Sequence, residues 1–255
     1  MSINIVLKKH IVALLAYSSL ACFFPLMAEA QTPPDEKQEQ APKSESKIDY
    51  VFTEAPDDHV LGDENAPITM IVYASVTCSH CSNWFTNQWP VLKKELVGAG
   101  KIRFVLRALP TPPMQLSMAG FMIAECASAE DYFDVIQYQM ENQSVFLEQA
   151  KIGKAREEYD KVARLAGLKD EDAVDACFAD STNLAHIHKS GARATASDLK
   201  GVPAFFINGD PYKGDQSADT LIKLISKMNE KGLSKIPNQK SVSYTHLTLP
   251  TNREV

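Results

Sequence analysis

Short runs of apolar and β-branched residues predict the strands of a sheet. Three strong runs cover residues 68–73 (ITMIVY), 102–106 (IRFVL) and 204–207 (AFFI), and the last ends at an Asn-Gly turn signal. A weaker run at residues 50–52 predicts an additional edge strand. Short strands separated by longer helical stretches are typical of an α/β protein.

Apolar residues at helical spacing fill the chain between the second and third of these strands. The predicted helices cover residues 114–127, 131–139, 145–165, 171–179 and 182–195, with breaks at Gly153, Gly167 and Gly191. A final amphipathic helix is predicted at residues 218–228, with Ser217 as its N-cap. The pattern therefore predicts an α/β domain with a helical insertion at about residues 112–198.

The beginning of the chain has a different pattern. Two lysines precede an apolar run, which is followed by the small-x-small triplet AEA. This layout predicts a secretory signal peptide over residues 1–30, cleaved after Ala30, and hence export to the periplasm. A retained membrane anchor is the alternative, although Pro25 and the short apolar run do not suit a spanning helix of about 20 residues. Lipidation at Cys22 is a second alternative.

Two further segments differ from the rest in composition. Residues 31–47 contain no aliphatic side chain larger than alanine and no aromatic ring. They cannot bury enough apolar surface to offset the entropy of ordering, so they are predicted to form a disordered leader. Residues 241–255 resemble the translation of a sequencing adapter, and we interpret them as a non-native tail, with a native disordered tail as the alternative. The functional domain is predicted to cover residues 48–238.

Charge and cysteine content narrow the possible functions. The formal net charge is −6, and the sequence has no basic patch that would indicate nucleic-acid binding. Removal of the signal peptide leaves Cys78, Cys81, Cys126 and Cys177. An even number of cysteines in an exported protein favours disulfide chemistry over the metal and thiol sites of cytosolic proteins.

Cys78 and Cys81 form a CxxC motif that follows a predicted strand directly and begins a predicted helix. Near the helix N-cap, the Cys78 sulfur faces unpaired backbone N–H groups and the positive end of the helix dipole. His80 adds a further positive or hydrogen-bonding group, and these influences favour the thiolate of Cys78. Cys81 lies one turn further on and is predicted to be covered. The pair is therefore predicted to provide an attacking thiolate and a resolving partner.

Two other interpretations of the motif are weaker. A zinc site needs about two more nitrogen or sulfur ligands. The sequence offers His186 and His188, but positions two apart do not share a helix face, and both are predicted to be polar surface residues. An inert disulfide across two residues would close too short a loop to stabilise the fold much. We therefore predict no metal and no separate cofactor.

Several separate motifs occur together in this chain: TCSHC at residues 77–81, the pair Trp84-Phe85, GVPAFFING at 201–209, LGD at 61–63, Ala66-Pro67, and AECA at 124–127. In combination they resemble the DsbA family of exported thiol:disulfide oxidoreductases. The resemblance covers about residues 48–228. It implies a thioredoxin fold interrupted by an inserted helical domain.

The resemblance also assigns a role to the Val202-Pro203 loop. In the family this peptide bond is cis, the loop faces the CxxC cysteines, and the residue before proline helps to bind an extended substrate chain. The sequence departs from the family at two positions. Val72 stands where an acidic residue is common, and Ser79 stands where proline is common, which leaves the strength of the oxidant open.

Cys126 and Cys177 are both on predicted helices of the insertion. We interpret them as a structural disulfide, which would restrain the unfolded chain by about 3 to 4 kcal/mol. The alternative is two small buried apolar side chains that do not meet.

Together these observations predict a monomeric oxidase that donates its Cys78–Cys81 disulfide to reduced exported proteins and is reoxidised by a DsbB-like membrane partner. One alternative is a reductase or isomerase of the same fold. The other is a non-enzymatic chaperone or binding module that uses an apolar surface around Trp84, Phe85 and the Val202-Pro203 loop.

Overall fold

The computed structural model describes residues 50–237. The predicted signal peptide, leader and tail, at residues 1–30, 31–47 and 241–255, lie outside the described residues. None of the helices within residues 50–237 is both long and apolar enough to span a membrane.

A mixed sheet of five strands forms the centre of the described domain. In chain order the strands are β1 (His59–Leu61), β2 (Ile68–Ala74), β3 (Ile102–Ala108), β4 (Ala204–Ile207) and β5 (Asp210–Tyr212). Their spatial order is β1-β3-β2-β4-β5, and β2 and β3 run parallel while the other pairs are antiparallel. The three strong strand predictions are confirmed.

The predicted edge strand at residues 50–52 is wrong, because these residues form no strand and the edge strands of the sheet are β1 and β5. Tyr50 has a φ of 60°, which is not an extended conformation. The Arg107 guanidinium of β3 binds the carbonyl oxygens of Val51 and Thr53 at 3.1 and 2.7 Å, so these groups are not part of a strand ladder. Arg107 also forms a fully buried, two-pronged ion pair with Asp58, at 2.9 and 2.8 Å.

Nine α-helices surround the sheet within residues 50–237. They are α1 (Ser79–Asn87), α2 (Trp89–Leu92), α3 (Met114–Glu125), α4 (Tyr132–Glu141), α5 (Gln143–Lys151), α6 (Ala155–Leu165), α7 (Glu171–Ala179), α8 (Ser181–Ala196) and α9 (Ala218–Glu230). A π-helical turn, Lys93–Val97, follows α2. Helices α3 to α8 lie between β3 and β4 in chain order, where the sequence predicts the helical insertion.

The predicted helix breaks have different outcomes. Gly153 has a φ of 75° and separates α5 from α6, and Gly167, with a φ of 82°, follows α6, so both predictions are confirmed. The predicted break at Gly191 is wrong, since α8 continues through it. A glycine inside a helix costs about 1 kcal/mol, whereas burying the Ile187 side chain of α8 contributes about 1.5 to 3 kcal/mol. The packing of α8 therefore outweighs the cost of Gly191.

Both faces of the central strand β2 are buried. Met70, Val72 and Ala74 belong to the main core, whereas Ile71 and Tyr73 belong to a second cluster on the opposite face. Side chains alternate across a strand, so helices on both sides are needed to cover it. The strand ends at Ala74, and the turn that follows it leads directly to Cys78.

Candidate active site

Cys78 occupies the N-cap of α1. Its backbone is extended, with φ −85° and ψ 119°, and its N–H donates to the Ser75 carbonyl at 3.1 Å in the turn after β2. Its side chain is half-buried and is a free thiol. The sulfur therefore lies where the first N–H groups of α1 have no intrahelical partner and favour a negative charge.

Cys81 lies one turn further on and is fully buried as a second free thiol. Burial raises the pKa of the Cys81 thiol far above its ordinary value, even though the Ser75 N–H donates to the sulfur at 3.5 Å. A thiolate at Cys81 is thus strongly disfavoured. The two cysteines have the accessible and covered positions that the sequence predicts.

The Val202-Pro203 loop lies against Cys78. The peptide bond is cis, and the Cys78 thiol donates to the Val202 carbonyl oxygen at 3.4 Å. An open groove of about 430 Å³ lies beside this contact. It is lined by His80, Asn83, Trp84, Gln88, Val202, Pro203, Gly214, Asp215, Gln216 and Ser217. His80 is exposed on the wall of this groove, so it is available to a bound chain.

The apolar surface invoked for a chaperone is largely absent at this site. Trp84 and Phe85 are 4% and 1% exposed and belong to the main core. The Trp84 indole N–H donates to the Gln216 carbonyl at 2.8 Å, which fixes the loop on the far wall of the groove. The prediction of an apolar surface around these two aromatic residues is wrong because both rings face inward from α1.

Val72 is fully buried in β2 and pairs with Phe205 of β4. No carboxylate can therefore act on Cys81 from this position. A cluster of hydroxyl groups lies nearby instead: the Ser75 Oγ is 2.9 Å from the Ser117 Oγ, 2.9 Å from the Thr111 Oγ1 and 3.1 Å from the Thr77 Oγ1. Because the Ser75 backbone N–H donates to the Cys81 sulfur, the hydroxyl cluster places polar groups close to the buried thiol.

The sequence analysis missed this cluster and a second polar contact, from Gln143 of α5. The Gln143 side-chain amide donates to the Val76 and Cys78 carbonyl oxygens at 2.7 and 3.0 Å. It therefore ties the helical insertion to the active-site turn. Ser75 and Thr77, just before the CxxC motif, could have indicated the hydroxyl cluster from the sequence. Nothing near Gln143 in the sequence indicated its contact with the active-site turn.

Cys126 and Cys177 are joined by a disulfide with a Cα–Cα distance of 5.9 Å. The bond connects the residue after α3 with α7, so two helices of the insertion are crosslinked. The Asn183 side-chain amide donates to the Cys126 sulfur at 3.1 Å. The alternative in which these sulfurs do not meet is therefore wrong.

The two histidines of the H-x-H pair have different surroundings. His188 is exposed, as predicted. His186 is not a surface residue, because its ring is mostly covered and its Nδ1 lies 2.8 Å from the Glu125 Oε2. The prediction failed for His186 because helix spacing alone does not show what packs against a given face of α8.

A family model described as thioredoxin matches residues 54–227. The chain belongs to the thioredoxin family. Within that family it is DsbA-like: the crystal structure of Wolbachia pipientis alpha-DsbA1 superposes with a TM-score of 0.63 and 26% identity, over 71% of this chain and 94% of that one. The fold class predicted from the sequence, a thioredoxin fold with an inserted helical domain, is confirmed.

Two other proteins are similar to this chain. A Rickettsia felis protein, provisionally named as a protein-disulfide oxidoreductase, is 26% identical over 218 residues, which are 84% of this chain and 74% of that protein. The structure named as a protein-disulfide isomerase from Novosphingobium aromaticivorans has a TM-score of 0.55 and 19% identity, over 68% of this chain and 97% of that one. At that identity the second likeness supports the fold alone.

Proposed function

We propose that this chain is an exported dithiol oxidase that introduces disulfide bonds into other exported proteins. The observation that carries the proposal is the asymmetry of the CxxC pair. Cys78 is partly accessible at a helix N-terminus beside a groove, whereas Cys81 is buried. The DsbA-like fold and the name of the Rickettsia felis relative support thiol–disulfide exchange as the chemistry.

The reaction starts from the oxidised protein, in which Cys78 and Cys81 are joined. A substrate thiolate attacks the Cys78 sulfur, and the bond between the two cysteines breaks. Cys81 leaves with the electron pair and takes up a proton, because burial disfavours its thiolate. The attack is directed to Cys78 because Cys81 is inaccessible.

The second substrate thiolate then attacks the substrate sulfur of the mixed disulfide. Cys78 leaves as a thiolate, which the helix N-terminus stabilises, and this makes it a good leaving group. The substrate has lost two electrons and two protons and gained a disulfide. The protein has gained the two electrons as a dithiol, and no separate cofactor takes part.

The groove supplies the binding site for the substrate chain. The Val202 carbonyl oxygen contacts Cys78, and Val202 and His80 both line the groove beside that contact. An extended peptide that pairs with the Val202 backbone would present its cysteine to the Cys78 sulfur. Main-chain pairing is indifferent to most side chains, which suits an enzyme that acts on many reduced proteins.

Reoxidation of the dithiol requires an electron acceptor outside the chain. We propose a DsbB-like membrane protein for this step, acting on a periplasmic form of the enzyme that has lost residues 1–30. The net charge of −6 gives no reason to expect nucleic acid as a partner.

Two activity assays separate this proposal from its alternatives. The oxidised protein should form disulfides in a reduced, unfolded disulfide protein at a rate far above the uncatalysed one, and should be weaker in insulin reduction. A reductase or isomerase would reverse this order. A chaperone without redox function would be inactive in both assays.

The relative stability of the two redox forms is an independent test. The short loop of the CxxC disulfide restrains the unfolded chain by only about 2 kcal/mol, so the disulfide itself adds little stability to the oxidised form. For an oxidant, the reduced form should unfold at a higher denaturant concentration at neutral pH. An oxidised form that is the more stable of the two would favour the reductase.

A further inference from the structure

Three side chains far apart in the sequence converge at the side of the domain formed by β1, α3 and α8. Glu125 ends α3, and its Oε2 lies 2.8 Å from the His59 Nε2 of β1 and 2.8 Å from the His186 Nδ1 of α8. All three potential ligand atoms lie within 4.8 Å of one another. The thiol chemistry proposed above makes no use of this cluster.

The charge balance of the cluster is unusual. The Glu125 side chain is 5% exposed, and burying a carboxylate is costly unless a cation or metal compensates it. The ion pairs of Glu125 are with the two histidines, neither of which is permanently charged. The two buried arginines of the described domain, Arg107 and Arg193, pair with Asp58 and Asp57 instead.

The ligand atoms are held in place by the surrounding structure. The His59 ring stacks on the Tyr132 ring, with centroids 3.5 Å apart and planes at 11°. Glu125 is followed directly by Cys126, whose disulfide fixes the end of α3. His59 and His186 keep 23% and 18% of their side chains exposed, so solvent and small ions reach the site.

We propose that His59, Glu125 and His186 form a binding site for a divalent transition metal ion, with Zn²⁺ as the best match. Two imidazoles and one carboxylate are a typical zinc ligand set, and a water molecule would complete a tetrahedron. Zinc bonds of about 2.0 to 2.2 Å place neighbouring ligand atoms roughly 3.4 Å apart. Each nitrogen lies 2.8 Å from the Glu125 Oε2 and would move about 0.6 Å away from it, and the two nitrogens, which lie within 4.8 Å of each other, would come to roughly the same spacing.

Metal binding replaces the two hydrogen bonds to Glu125. Each histidine then presents a deprotonated nitrogen to the ion, and its proton moves to the other ring nitrogen or to solvent. The ion would join the edge strand β1 to α3 and α8. Because it would bind the folded protein and not the unfolded chain, it would stabilise the fold. Zinc binding should therefore be measurable as a gain in stability of the folded protein.

The test uses the full, untagged protein with Cys22 replaced by serine and with Cys78 and Cys81 oxidised, so that no free thiol competes for the metal. Calorimetry with ZnCl₂ at neutral pH should show one ion per chain, and the melting temperature should rise with zinc concentration. His186→Gln should weaken binding at least tenfold and remove the melting shift. His188→Gln, two positions along the same helix and exposed, should leave both unchanged.

Circular dichroism without metal establishes that each variant is folded. Glu125→Gln and His59→Gln should behave like His186→Gln, and His186→Gln alone decides the matter if the buried Glu125→Gln fails to fold. Absence of zinc binding by the oxidised wild type, or equal binding by wild type and His186→Gln, would overturn the proposal. An equal loss in His188→Gln would also overturn it, since binding would then lie on the surface of α8.

Discussion

The two cysteine pairs of this protein have the same chemistry but differ in sequence separation and in the elements that they connect. Cys78 and Cys81 are three positions apart, are free thiols, and connect a strand end to a helix start. Cys126 and Cys177 are 51 positions apart and form a disulfide between two helices. The first pair crosslinks almost nothing, whereas the second closes a long loop within the helical insertion.

This difference explains how one domain keeps one disulfide and exchanges another. A long loop makes a disulfide stabilising, so reduction of Cys126–Cys177 is resisted by the fold. In the CxxC pair, little loop entropy is at stake, and a helix N-terminus stabilises the thiolate product. The redox behaviour of a cysteine pair therefore follows from loop length and helix position.

The largest expected effect separates the two cysteines of the exchanging pair. Cys78→Ser should reduce dithiol oxidase activity to the uncatalysed level, because the accessible sulfur is lost. Cys81→Ser is the matched variant and should accumulate mixed disulfides between Cys78 and substrate proteins. Mass spectrometry that finds adducts on Cys81 in wild type or variants would reverse the assignment of attacking and resolving cysteines.

The next largest effect concerns the Cys126–Cys177 disulfide. Replacement of both Cys126 and Cys177 by alanine should lower the free energy of unfolding by about 4 kcal/mol in the loop-entropy model. The oxidase rate at 25 °C should change little, since the bond lies outside the CxxC site. Denaturant unfolding and the activity assay measure the two quantities. A small stability change with a large loss of rate would contradict the separation of roles.

The buried thiol should respond to pH in a way that a disulfide cannot. Burial raises the folded-state pKa of Cys81 above the unfolded value of about 8.5, so its contribution to stability is present below that value and lost as pH rises. Between pH 8 and pH 10, Cys78→Ser should lose about 2 kcal/mol relative to the Cys78→Ser/Cys81→Ser double variant. If the free energies of unfolding of the two proteins changed with pH by the same amount, burial would not raise the pKa of Cys81.

The smallest effect tests the link between the two regions. Gln143→Met removes the hydrogen bonds from α5 to the Val76 and Cys78 carbonyl oxygens, which should cost about 1 kcal/mol of stability and slow the oxidase reaction. Gln149→Met, on the same helix but outside this contact, is the control. Equal rates for the two variants would mean that the insertion does not support the active-site turn.

The sequence was sufficient for the sheet and the CxxC pair because both depend on local patterns. The runs around β2, β3 and β4 are apolar enough to exclude other structures, and the position of Cys78 follows from the strand that precedes it. The edge strand was placed wrongly because its assignment depends on Arg107, whose contacts with Val51 and Thr53 join distant segments.

The remaining site residues were hidden for the same reason. Gln143 lies 65 positions from Cys78, and His59 lies 66 positions from Glu125. Periodicity describes which face of a helix is buried but not which residue it meets. Trp84 and Phe85 illustrate this limit, since their proximity to the motif indicated a surface whereas the structure buries both.

The buried ion pair between Arg107 and Asp58 makes the first described residues part of the cooperative unit. If the segment before β1 detached, the Arg107 charge would remain in the interior without its partner, at a cost of about 3 to 5 kcal/mol. The segment therefore cannot detach without a large loss of stability. Its hydrogen-bonded amides, those of Ala55 and Asp58, should exchange with solvent more slowly than the amides of a segment held only by local contacts.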